Sequence, residues 1–151
     1  MKKRILYIGN DLALDSFTAT YISFFSKVLK KEGYPVRKAS NKNNKALRLI
    51  EMLGLIAKHH KTTDVVIIDT YGAMNFYYAY LVGKACQIYK LDYIPILHGG
   101  NLPERLSDNR FLSKSLFGKA KMNVAVNKIP SFFIGKKSLV VIVDLNKMKL
   151  K

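Results

Sequence analysis

The residues best suited to chemistry in this chain fall in three short stretches, of which His98-Gly99-Gly100-Asn101 is the most unusual. Imidazole is the side chain that titrates nearest neutral pH, and two glycines after it let a ligand approach bare backbone. Gly-Gly serves a tight turn equally well, and an isolated histidine is often a packed, hydrogen-bonded residue, so a structural and a functional reading both stand. The second stretch runs from Asn10 to Ser16, with Asn10, Asp11, Asp15 and Ser16 as its polar candidates. It has only Gly9 in place of a G-x-G-x-x-G pattern, which argues against a nicotinamide enzyme, and no Walker pattern of glycines precedes a Lys-Ser/Thr pair. A helix opening at Asp15 or Ser16 would offer free N–H groups to a phosphate, although Asp11 and Asp15 oppose an anion there. Thr70 to Met74, with Tyr71, is the third stretch. His59 and His60 are adjacent, so on a helix they point about 100° apart and cannot jointly chelate a metal. Cys86, the one cysteine, lies in a helical apolar stripe and reads as a core residue. No metal and no bound cofactor are expected.

The elements that must position these stretches alternate between β-rich runs and segments of helical period. Arg4 to Gly9 reads as a buried strand, followed by a helix carrying Phe17, Tyr21, Phe24, Phe25 and Val28, capped by Asp15 or Ser16 and ended by Gly33. Pro35 to Ser40 is a shorter strand. Asn43 or Asn44 then caps a helix with Leu47, Ile50, Leu53 and Ala57 as its apolar stripe and its lysines and arginine in water. Asp64 to Asp69, an unbroken β-branched run, reads as a strand buried on both faces of a parallel sheet. A helix over 73–90 follows, then a strand at Tyr93 to Leu97, where Pro95 implies a bulge or a late start. Helices at Leu106 to Lys119 and Pro130 to Lys136 and strands at Met122 to Val126 and Leu139 to Val143 complete the series. Right-handed crossovers turn this order into an α/β Rossmann-like fold of three αβα layers: a doubly wound, mostly parallel sheet of six or seven strands in one domain spanning 1–151. Ligands are expected beyond the carboxyl ends of the strands, where the three stretches meet.

Composition fits one packed domain. Of 151 residues, 49% are hydrophobic and 24% charged, the balance of a globule and not of a disordered chain. A lone thiol fits a reducing compartment, the first residues do not form a secretion signal, and no apolar run is long enough for a membrane span, so a cytoplasmic protein is expected. Lys and Arg number 26 against 10 acids, a formal net charge of +16. From Lys114 to Lys151 there are nine lysines and one acid, which makes an anionic membrane face or another polyanion a candidate partner. Arginine is scarce, and there is no zinc-finger spacing or aromatic RNA-binding pattern, so specific nucleic-acid recognition is not expected.

Three segments carry a family resemblance: KRILYIGN at the start, DVVIIDTYGAMNFYYAYLVGKAC in the middle and, above all, YIPILHGGNLPERL. Together the chain resembles the N-terminal domain of glycosyltransferase family 4, retaining enzymes of the two-domain GT-B architecture that use nucleotide sugars, here similar to members that build bacterial surface polysaccharide or glycolipid. The tail over 127–151 matches less well. The resemblance implies that this half receives a sugar or lipid-linked acceptor, that His98 hydrogen-bonds the donor sugar from across the cleft, that Gly99, Gly100 and Asn101 line it, and that Asn10 to Ser16 form the opposite wall. The family's paired glutamates, eight positions apart in the donor-binding half, have no counterpart, since the only glutamates are Glu32, Glu51 and Glu104. The chain therefore reads as an isolated or truncated half, inactive alone, cytoplasmic or peripheral on the inner face of the membrane. Two rivals remain: a non-enzymatic basic module that binds anionic membrane or nucleic acid, and an interaction subunit completing a split transferase.

Overall fold

The structure is a computed structural model, and it describes residues 1–11, 20–39, 41–72, 74–98, 107–125 and 140–142. The chain alternates strand and helix as its periodicity requires: β1 (Ile5–Ile8), α1 (Tyr21–Lys31), β2 (Val36–Ala39), α2 (Lys45–His59), β3 (Val65–Thr70), α3 (Met74–Ile88), β4 (Asp92–Leu97), α4 (Arg110–Phe117), β5 (Asn123–Ala125) and β6 (Val140–Ile142). A single 3-10 turn, His60–Thr62, follows α2. The strands pair in the order β2-β1-β3-β4-β5-β6, and every pairing is parallel. The result is an α/β, Rossmann-like sheet flanked by helices. The expected helix at Pro130 to Lys136 lies outside the described residues.

Alternation along each strand sends side chains to two different cores. Ile5, Tyr7, Ile67 and Ile96 face α1, where Ile22, Phe25 and Leu29 meet them. Leu6, Ile8, Val66 and Ile68 face the other way, against Met52 and Ile56 of α2, Phe76, Val82 and Cys86 of α3, and Leu116 and Phe117 of α4. Each fully buried aliphatic or aromatic side chain here contributes about 1.5–3 kcal/mol of transfer free energy. The chain order of the sheet reverses direction between β1 and β3, so the tips of these two strands and of β4 define the crevice in which a ligand is expected.

Three local expectations are corrected. Helix α1 is capped by Thr20, whose Oγ1 accepts from the Ser23 N–H at 3.3 Å; the expected caps, Asp15 and Ser16, lie outside the described residues. Its other end does close on Gly33, at φ +80°: Gly33 N–H donates to Lys30 O and Tyr34 N–H to Leu29 O, a left-handed closure that glycine adopts without strain. In α2 the cap is Asn44, bonded to the N–H groups of Ala46 and Leu47, but the buried stripe is Arg48, Met52 and Ile56, while Leu47 and Ile50 are 55% and 65% exposed. The helix is rotated from its expected phase because Arg48 turns inward, donating to the carbonyls of Lys42 and Asn43 and to Asn10 Oδ1. Finally, β4 runs through Pro95 in unbroken register with β3, from Asp92 opposite Val65 to Leu97 opposite Thr70. His98 N–H donates to Thr70 O while Tyr93 O accepts from Lys121 N–H, so alternate residues address opposite neighbours and Pro95 faces the β5 side. The β4–β5 pairing starts only at Ile96, beyond the missing donor.

Candidate functional site

The tips of β1, β3 and β4 bring together Tyr7, Gly9, Asp69, Tyr71 and His98. Asp69 ends the apolar run of β3 with its side chain only 2% exposed, and its Oδ1 accepts two hydrogen bonds. Tyr7 Oη–H donates at 2.8 Å and His98 Nε2 lies at 2.9 Å. The carboxylate fits because β1 ends in glycine: a Cβ on Gly9 would collide with Asp69 Oδ2 and lie 3.0 Å from both Cβ and Cγ of that residue. Gly9 N–H also donates to Ala39 O at 2.7 Å, which fixes the β1 tip against β2.

His98 follows β4 directly and is buried, 8% exposed. The Tyr71 ring stacks on it at 4.2 Å between centroids and 8° between planes, and the Tyr21 ring meets it edgewise at 4.4 Å and 79°. His98 is thus a buried residue packed between two aromatic rings. Burial, then the Asp69 charge, pushes the Tyr21 phenol up to about 12 and raises those of Tyr7 and Tyr71 as well, so all three stay neutral and keep an O–H at neutral pH.

The other expected site residues divide. Asp11 is occupied locally: its Oδ1 accepts from Thr20 Oγ1 at 2.8 Å and Ser23 Oγ at 2.5 Å, and its Oδ2 pairs with Lys38 Nζ at 2.6 Å. Burial alone would raise its pKa, but the bonds from Lys38, Ser23 and Thr20 together hold it below the ordinary carboxylate value. Asn10 is likewise engaged, donating from Nδ2 to Asn75 Oδ1 at 3.0 Å and accepting from Arg48 Nη1 at 3.2 Å, so it ties the β1 tip to α3 and α2. Asp15, Ser16, Gly99, Gly100 and Asn101 lie outside the described residues. A small cavity of about 10 Å³ bordered by Gly9, Asn10, Asp69, Tyr71 and Asn75 opens beside the cluster, too small for a sugar ring.

Sequence reasoning placed His98 and Tyr71 at the strand tips and missed Tyr7, Tyr21 and Asp69 as their partners. Asp69 had a signal, since an acid closing a run of four apolar residues is costly to bury without a partner. Tyr7 had none, because a tyrosine in a buried strand looks like any other core aromatic. Among the described residues no three His, Cys, Asp or Glu side chains come together to hold a metal ion, and no helix is long and apolar enough to cross a membrane.

No protein-family model and no curated protein sequence matches this chain. A solved structure similar to part of it is the adenosylmethionine-8-amino-7-oxononanoate aminotransferase from Methanocaldococcus jannaschii, at 20% identity and a TM-score of 0.41 over 62% of this chain. The match spans 24% of that protein's length.

Proposed function

We propose that this chain is the N-terminal, acceptor-side domain of a retaining glycosyltransferase that uses a nucleotide sugar to build surface polysaccharide or glycolipid, with a doubly wound sheet of six or seven strands. The observation that supports this reading is the placement of His98 at the carboxyl end of β4, at the crevice beside β1 and β3, with one ring nitrogen held by Asp69 and the other free of any hydrogen bond among the described residues. That nitrogen is the group with which the chain contacts a hydroxyl of the donor sugar. Tyr21 and Tyr71 confine the imidazole and keep bulk water from its faces. In such a transfer the leaving diphosphate and the incoming acceptor hydroxyl share one face of the sugar, and fixed charges stabilise the departing phosphate. Those charges belong to the donor-binding half, so this domain alone binds and orients and does not turn over. On this reading it works in the cytoplasm or against the inner membrane face.

The experiment is a titration of the isotopically labelled chain with a panel of nucleotide sugars and simple glycosides, read by NMR. Shifts centred on His98, Tyr21 and Tyr71 that vanish in His98→Ala carry the reading. Shifts confined to other surfaces, or sugar transfer by the purified chain alone, overturn it.

The rival basic module draws on the net charge of +16. Its binding to anionic vesicles would fall steeply between low and physiological salt and would ignore His98→Ala.

A further inference from the structure

What His98 offers a ligand is decided at Asp69. The ionised carboxylate is an acceptor only, so the 2.9 Å contact requires a proton on His98 Nε2. A neutral imidazole carries one N–H, and placing it on Nε2 leaves Nδ1 with a bare lone pair. Asp69 has little freedom to rearrange. Its Oδ1 also takes the Tyr7 Oη–H, from a tyrosine that is fully buried, and the close approach of Gly9 walls in Oδ2. Tyr71 covers one face of the His98 ring and Tyr21 presses against it edgewise, which prevents the imidazole from flipping to exchange its nitrogens. No hydrogen bond among the described residues reaches Nδ1.

We infer that Asp69 is the positioning residue of this site: it fixes His98 in the Nε2–H tautomer and presents Nδ1 as a hydrogen-bond acceptor, which selects a hydroxyl-bearing ligand group over an anion. A phosphate or carboxylate oxygen brought to Nδ1 would meet a lone pair, whereas a sugar hydroxyl donates to it. The inference rests on the proposed function only for the identity of that hydroxyl. The tautomer is a property of the free chain.

The test is a long-range proton–nitrogen correlation spectrum of the labelled chain at alkaline pH, where imidazole is neutral. The wild type should show one His98 tautomer, with Nδ1 unprotonated and a slowly exchanging Nε2–H. In Asp69→Ala that proton should exchange faster by roughly tenfold or more, the factor that a hydrogen bond to a charged group supports, and the two tautomers should average. Tyr7→Phe removes the other donor to the same oxygen and should leave the His98 tautomer unchanged even though stability falls. Because the wild-type spectrum is informative alone, the idea survives a variant that fails to fold. A wild-type His98 protonated on Nδ1 overturns it, and so does an Asp69→Ala spectrum matching that of Tyr7→Phe. If the tautomer is as stated but nucleotide sugars and glycosides leave His98 unshifted, the transferase reading fails and the role of Asp69 stands.

Discussion

Strand β3 has an aspartate at each end, and the two do opposite things. Asp64, just before the strand, accepts from Arg4 three times: from the backbone N–H at 2.7 Å, from Nε at 3.0 Å and from Nη2 at 2.8 Å. The pair is open to water, with side-chain exposures of 41% and 29%, and it clips β1 to β3 at the amino edge. Asp69, near the carboxyl end of the strand, pairs with no lysine or arginine among the described residues. It is buried, and its partners are a phenol and an imidazole that keeps one nitrogen unused. The amino-edge carboxylate is held by a fixed charge, with three hydrogen bonds from one arginine. The carboxyl-edge one is bonded to an imidazole whose second nitrogen has no hydrogen bond among the described residues, and this asymmetry separates a structural clip from a candidate site.

The largest expected effect on this comparison comes from Asp69→Ala. Removing a buried carboxylate leaves the Tyr7 hydroxyl and the His98 ring without their partner, and breaking such a buried pair costs about 3–5 kcal/mol. Urea unfolding followed by far-UV circular dichroism measures it, since the chain has no tryptophan to report on the core. A loss no greater than that of Asp64→Asn would erase the distinction between the two ends of the strand.

Gly9→Ala attacks the same pair from the backbone. The new methyl group collides with the Asp69 carboxylate, and either the side chain or the β1 tip must move, at a cost of about 1–3 kcal/mol. The control is Gly54→Ala in α2, where a Cβ meets nothing within 4 Å. There the substitution should stabilise by about 0.5–1 kcal/mol, the ordinary helical preference of alanine. Opposite signs at two glycines in one urea series would show that Gly9 is required by its neighbour and not by its own backbone. Equal effects would remove that argument.

The order of strands and helices was legible in the sequence because parallel strands buried on both faces read as unbroken apolar runs, and Asp64 to Asp69 did so plainly. The face that α2 turns to the sheet was not. Leu47 and Ile50 have the right period for a buried stripe, but Arg48 is bound by two backbone carbonyls and Asn10, contacts that exist only once the β1 tip and the α2 entry are adjacent. Pro95 misled in the same way. Its missing donor matters only against a neighbour on its own side, and which side that is depends on the register with β5. At the site, His98 was legible as an unusual residue at a strand end, whereas its bond to Asp69 joins positions 29 apart in sequence and follows from the order of strands in the sheet.

The smallest effect belongs to Asp64→Asn, and its pH dependence is what sharpens the comparison. The side-chain bond from Arg4, then the bond from its backbone N–H, holds the Asp64 carboxyl well below its ordinary value, against a weaker opposing effect of burial. A carboxyl group whose pKa is lower folded than unfolded adds stability above the unfolded value, near pH 3.9 for an aspartate, and loses it as the pH falls toward the folded value. The gap between wild type and Asp64→Asn should therefore be present at pH 7, begin to close below about pH 4 and shrink further as the carboxyl protonates. Because the pair is exposed, salt should narrow the gap at neutral pH as well. A gap that is constant from pH 7 to pH 2 and indifferent to salt would mean that Asp64 acts only through its fit against Arg4, and the contrast between a charge-saturated end of β3 and a proton-bearing end would rest on Asp69 alone.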